Sequence, residues 1–119
     1  MKRWMLAALC AAWMAPAAHA AEKQIRIGII GLDTSHATQF TKIFNQGPKN
    51  SADAPKFAGL KVVAAYPQGS TDIPSSYERV PEYTETVKKL GVEIVDSIDA
   101  LLPKVDVVLL ESNDGKVHL

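Results

Sequence analysis

The apolar positions alternate between short β-branched runs and spaced, one-sided patterns. Residues 25–30, IRIGII, form a run bounded by Gly31 and predict a strand. After Leu32-Asp33-Thr34-Ser35, the spacing of Ala37, Phe40, Ile43 and Phe44 predicts a helix buried along that stripe. Thr34 or Ser35 suits its N-cap, and Gly47-Pro48 ends it. Residues 47–59 are rich in Gly, Pro, Asn, Ser and Asp and predict a long surface loop. A second strand follows at 61–66, KVVAAY, stopped by Pro67, with another loop at 67–76. A helix near 82–90 should end at Gly91 in a left-handed cap. Val92 to Val95 predicts a third strand, and Ser97 caps a short helix through Leu102 that Pro103 stops. Val105 to Leu110, VDVVLL, predicts the fourth strand.

Strands alternating with helices predict a parallel sheet with right-handed crossovers. The first and fourth strands are nearly continuous apolar runs, as expected where both faces of a sheet are covered. The fold class is therefore α/β, a Rossmann-like doubly wound parallel sheet of about four strands, incomplete at its C-terminus. The chain stops at Lys116-Val117-His118-Leu119, before a helix could cover the fourth strand, so the expectation is the front part of a longer protein.

Composition changes the picture at the N-terminus. Of the first 20 residues 16 are apolar, against 40 of the remaining 99, and both tryptophans and Cys10 lie in that leader. Lys2-Arg3 gives a positive start, Trp4 to Ala15 an apolar run, Pro16 a break, and Ala18-His19-Ala20 a small-x-small cleavage pattern. Residues 1–20 thus read as a signal peptide, with 21–119 as the exported Rossmann-like portion. Twelve apolar residues rise only about 18 Å as a helix, too short for a bilayer core of roughly 30 Å, so no stable membrane anchor is expected. The expected location is periplasmic or secreted. Lys2-Arg3 is not a twin-arginine signal, so export would proceed unfolded and any cofactor would be acquired outside the cytoplasm.

Beyond the leader there are 11 basic and 13 acidic residues. That balance excludes a nucleic-acid partner, which needs a basic face. Without cysteine, residues 21–119 exclude a disulfide scaffold, a thiol enzyme and a cysteine-ligated metal.

A strand leading through a short turn into a helix is where a dinucleotide's pyrophosphate binds, on free amides and the helix dipole. The pattern G-x-G-x-x-G would begin at Gly31, but Asp33 takes the second glycine's place and His36 the third. A carboxylate there would obstruct and repel a pyrophosphate. The end of the second strand, where an acidic residue would bind ribose hydroxyls, reads Tyr66-Pro67-Gln68-Gly69-Ser70, with no acid until Asp72. Ser70 and Gln68 could serve a 2′-phosphate, or the segment is a plain loop.

Taken together, IRIGIIGLDTSHATQF, KVVAAYPQGSTDIPSS, GVEIVDSIDALL and VDVVLLESNDGKVHL resemble the Gfo/Idh/MocA oxidoreductase family. They are most similar to its exported members, which carry GLDTSH in place of a glycine-rich loop. The resemblance spans about residues 24–119. It implies an N-terminal domain that binds NAD or NADP, followed by an α+β domain that binds substrate and mediates homo-oligomerisation. The implied substrate is a small molecule of the sugar or polyol class. The family's catalytic lysine would lie beyond Leu119, so no catalytic residue is assigned and this chain alone should be inactive. In this reading Gly31 makes the cofactor turn beside Asp33, and the amides near Thr34, Ser35 and His36 hold the phosphates. Asn113 and His118 line the nicotinamide side by their match to family positions.

In a sheet ordered 3-2-1-4, the ends of the first and fourth strands would gather Asp33, His36, Glu111, Asn113, Asp114 and His118, and ligands bind in such crevices. Three readings stand: a cofactor crevice without metal, which is the one adopted; helix capping by Asp33 and Ser35 with His36 and His118 at the surface; or a metal site. Lys88-Lys89, Glu82 and Glu85 read as a solvated helix face, with Glu85 paired to a lysine. Two functions follow. The first is the nucleotide-binding portion of a secreted oxidoreductase-like protein. The second is a non-catalytic exported sugar-binding or surface protein with a degenerate cofactor site.

Overall fold

The computed structural model describes residues 23–118, so the expected signal peptide at 1–20 lies outside the described residues. Four strands, β1 (Ile25–Ile30), β2 (Leu60–Tyr66), β3 (Glu93–Ile94) and β4 (Val107–Leu110), form one sheet ordered β3-β2-β1-β4, parallel throughout. Helices α1 (Ser35–Gln46), α2 (Ala54–Phe57), α3 (Pro74–Tyr77), α4 (Val80–Lys89) and α5 (Ile98–Leu101) connect them. The architecture is α/β, in the strand order of a Rossmann-like fold.

Strand β1 explains the two-sided core. Its alternate residues Ile27 and Ile29 pack with Leu32, Ala37, Val62 and Val87 under α1 and α4. Ile30 faces the other way and packs with Ala64, Val95 and Leu101 under α5. Gly28 leaves room there, because a Cβ would lie 3.0 Å from the Val105 side chain. The pairing of β1 with β2 slips between Ile27 and Gly28, leaving Val63 as an extra residue, so Val63 and Ala64 both lie toward α5. Asn45 compensates beside that slip. Its side-chain oxygen accepts from the Val62 N–H (2.9 Å), and its amide donates to the carbonyls of Val62 (2.9 Å) and Leu90 (3.1 Å). One polar side chain thereby ties α1 to β2 and to the end of α4.

Several boundaries differ from expectation. The buried residues of α1 are Ala37, Thr38 and Thr41; of the expected stripe Ala37 is buried and Phe44 packs against the core, while Phe40 is 38% exposed. Two threonines can be buried because Thr38 and Thr41 donate their hydroxyls to the carbonyls of Ser35 (2.9 Å) and Ala37 (2.7 Å). The expected loop at 47–59 holds a 3-10 turn (Ser51–Asp53) and α2, and α3 forms inside and past the loop at 67–76. Both short helices carry Pro in their first turn, where its missing N–H costs nothing. Proline also opens α4, which begins two residues before the expected start.

Gly91, at φ +87°, takes the left-handed cap after α4 as expected. Ser97 caps α5 by accepting from the Ala100 N–H at 3.1 Å. Pro103 does not stop that segment; it continues as a 3-10 turn over Leu102–Lys104. The third strand pairs only over Glu93–Ile94 and the fourth only over Val107–Leu110. Strand β4 is an edge among the described residues; Val107, Val108 and Leu110 are exposed, and of its apolar run only Leu109 packs against the core. His118 ends a 3-10 turn, Gly115–His118.

A bidentate pair fastens the start of β1 to the start of β4. The Arg26 guanidinium donates to both Asp106 carboxylate oxygens at 3.1 and 3.0 Å, and the Arg26 N–H adds a third bond at 2.9 Å. These hydrogen bonds lower the Asp106 pKa to about 2, against roughly 3.9 for an unfolded chain. A carboxylate with a depressed folded pKa stabilises the fold fully above the unfolded value, and this is lost as pH falls through the folded one. Stability should therefore decline between about pH 4 and pH 2 by a component that Asp106→Asn removes. Urea midpoints of the two proteins at pH 5 and pH 2.5 check this: equal acid sensitivity would contradict it.

Candidate functional site

Strands β1 and β4 are neighbours, with Ile30 opposite Leu110, and the crossovers leave β1 in opposite directions on either side of them. Their carboxyl ends are the topological switch point where ligands bind in open α/β sheets. Gly31 sits in this turn at φ +96°, its N–H donating to Tyr66 O (3.0 Å) and its Cα pressed against Ser112. A Cβ on Gly31 would lie 2.6 Å from the Ser112 nitrogen, so glycine is required both by conformation and by space.

Asp33 caps nothing, contrary to the capping alternative. It is fully buried, and its carboxylate accepts the Ser76 hydroxyl (2.6 Å) and the Asn113 N–H (3.1 and 3.2 Å). Ser76 Oγ in turn accepts the Ser70 N–H (2.7 Å), and Ser70 donates its hydroxyl to Asp114 (2.7 Å). Asp114 also accepts the Lys116 N–H (2.9 Å), while the Lys116 ammonium pairs with Asp72 (2.8 Å). These bonds, the Lys116 N–H first and the Ser70 hydroxyl next, hold Asp114 below its ordinary pKa. Gly69 permits the approach, because a Cβ there would lie 2.7 Å from Val80. The loops after β1, β2 and β4 are thus knotted around one buried carboxylate.

The residues expected at the site separate accordingly. Gly31, Asp33 and Asn113 meet in the knot. Thr34 is the N-cap of α1, but its side chain makes no capping bond; its hydroxyl donates instead to Glu111 O at 3.3 Å. Ser35 and His36 are exposed on the first turn of α1, which holds no acidic residue and makes no side-chain capping bond. His36 lies against Phe40, ring centroids 6.0 Å apart, and close enough to Glu111 to favour its ionised form. Burial is the stronger influence and raises the Glu111 pKa. His118 folds back so that Nε2 lies 2.8 Å from Ser112 O.

Ser70, Ser76 and Ser112 belong to this end of the sheet, and the sequence carries no local signal for the last two. Ser70 was a candidate for a 2′-phosphate, but it is buried with its hydroxyl committed to Asp114. Among the described residues no group of three or more His, Cys, Asp and Glu side chains is close enough to hold a metal ion. A groove of about 540 Å³ lies at the opposite end of α1, lined by Gln39, Lys42, Gln46, Lys49 and Phe57 among others, away from the strand ends. Among the described residues no helix is long and apolar enough to cross a membrane. Compared with protein-family models, curated proteins and solved structures, the chain matches none.

Proposed function

We propose that the chain is the nucleotide-binding portion of an exported, periplasmic or secreted oxidoreductase-like protein acting on a sugar or polyol derivative. NAD or NADP would lie over the first turn of α1. The observation that carries this reading is the pairing of that uncapped helix start with an inward-facing Asp33. The second position of the glycine pattern holds a carboxylate, yet the carboxylate is consumed by Ser76 and Asn113 beneath the surface. The amides near Thr34, Ser35 and His36 would receive a phosphate, with the helix dipole behind them. Gly31 would make the turn beneath it, and Asn113 and His118 would flank the nicotinamide side, as the family resemblance implies. The cofactor would supply hydride chemistry; the residues of this chain would bind and orient it.

A second reading, a non-catalytic exported sugar-binding protein, draws support from the end of β2. Ser70 and Asp72 there are engaged by Asp114 and Lys116, which leaves no free acid for a nucleotide ribose. Titrating the full-length protein with NADH and NADPH while following nicotinamide fluorescence separates the two. Saturable enhancement is expected, and its absence at millimolar cofactor would sink the oxidoreductase reading.

A further inference from the structure

The connection from α1 to β2 builds a concave surface well away from the strand ends. Past Gly47 the chain turns back, and α2 sets Phe57 against Phe44 of α1, ring centroids 5.9 Å apart. Between them opens the groove of about 540 Å³ along the C-terminal half of α1, within the size range of small-molecule sites. Its floor is apolar, with Ile43, Pro48 and Phe57 half-buried in it. An apolar floor with a few polar groups at its margin is the usual make-up of a ligand pocket.

Charge around that floor is one-sided. Asp53 is the acidic residue of the lining, and its carboxylate is taken by the Lys56 ammonium at 2.6 Å. Lys42 and Lys49 also line the groove; both are exposed, and neither makes an ion pair among the described residues. The carboxyl end of α1 contributes roughly half a negative charge, against two whole positive ones. The groove is therefore positive, although residues 21–119 carry 11 basic and 13 acidic side chains. A lysine lays its methylene stem along apolar surface and keeps its ammonium at the wet margin. An apolar body with an anionic head satisfies both features at once. A cation would meet like charge, and a bare inorganic anion would leave the apolar floor uncovered.

We infer that this groove is a second ligand site, apart from the strand-end crevice, and that it takes a small amphipathic organic anion. Lys42 and Lys49 receive the anionic head, and Ile43, Pro48 and Phe57 receive the apolar body. The inference does not depend on what binds at the strand ends.

The test is calorimetric titration, in low-salt buffer, with 2-naphthylacetate and with its uncharged analogue 2-(2-naphthyl)ethanol. Both probes are added to the full-length wild type and to the double variant Lys42→Gln, Lys49→Gln, alongside thermal melts. Both lysines are exposed and unpaired among the described residues, so the variant should melt with the wild type. The wild type should bind the acid about ten-fold more tightly than the alcohol. The double variant should lose that preference and bind the two probes alike. If the wild type binds neither probe, or binds the acid no more tightly than the alcohol, the inference is overturned. It fails equally if the double variant keeps the wild-type preference, because the anion is then held elsewhere.

Discussion

Gly31→Ala is expected to lower the unfolding free energy by about 3 kcal/mol. Two independent costs combine. A Cβ at positive φ is disfavoured by roughly 1–2 kcal/mol, and here it would also meet backbone, the Ser112 nitrogen at 2.6 Å and its Cα at 2.8 Å. Backbone just past the paired ends of β1 and β4 cannot turn aside as a flexible side chain could, so overpacking adds on the order of 1–3 kcal/mol. Gly47→Ala supplies the control. Gly47 has nearly the same φ, +94°, but a Cβ there meets nothing within 4 Å. Only the conformational cost of roughly 1–2 kcal/mol should remain. Urea unfolding of both variants measures the difference, and equal losses would show that Ser112 does not press on Gly31.

Asp33→Ala should destabilise by about 3 kcal/mol, because it strands the fully buried Ser76 hydroxyl and takes the acceptor from the Asn113 N–H. Asp33→Asn should lose roughly half as much, since an amide oxygen can still accept one of those donors without the charge. Asp33→Gly is the informative variant. It recreates the second glycine of a dinucleotide loop, yet it should be no more stable than Asp33→Ala. Asp33 has no left-handed backbone for glycine to relieve, since no non-glycine residue among those described has positive φ. Chemical denaturation of the three variants decides the matter. If Asp33→Gly matched the wild type in stability, the carboxylate would not be the centre of the loop knot.

Both predictions concern contacts between segments far apart in the chain, and these were the features least legible in the sequence. Asp33 read as an intruder in a phosphate loop because only its neighbours were in view. Its partners, Ser76 and Asn113, are 43 and 80 residues away. The same applies to α1. Ala37 and Phe44 of the expected stripe face the core, but Phe40 does not, and the helix turns Thr38 and Thr41 inward as well. Their hydroxyls close onto the helix's own carbonyls, and Asn45 completes the slipped pairing of β2. Periodicity counts apolar atoms and cannot see a polar group whose bonding is satisfied. The short helices α2 and α3 escaped for another reason. A single turn contains too few positions to establish a period, and proline marks a helix start as readily as a loop.

By itself the sequence determined the elements whose causes are local. β1 follows from its β-branched run, the stop after α4 from Gly91, and the start of α5 from Ser97. The alternation of strands and helices was enough to predict a parallel sheet, and the order β3-β2-β1-β4 is one of the few that parallel pairing admits. Only the tertiary structure decided what the strand ends do with their polar groups. It committed Asp33 to Ser76 and Asn113, Asp114 to Ser70 and Asp72 to Lys116, and gave the Ser112 hydroxyl no hydrogen-bond partner among the described residues. Which carboxylate is spent on the fold depends on which donors the packing brings within about 3 Å, and that distance is set by three loops meeting.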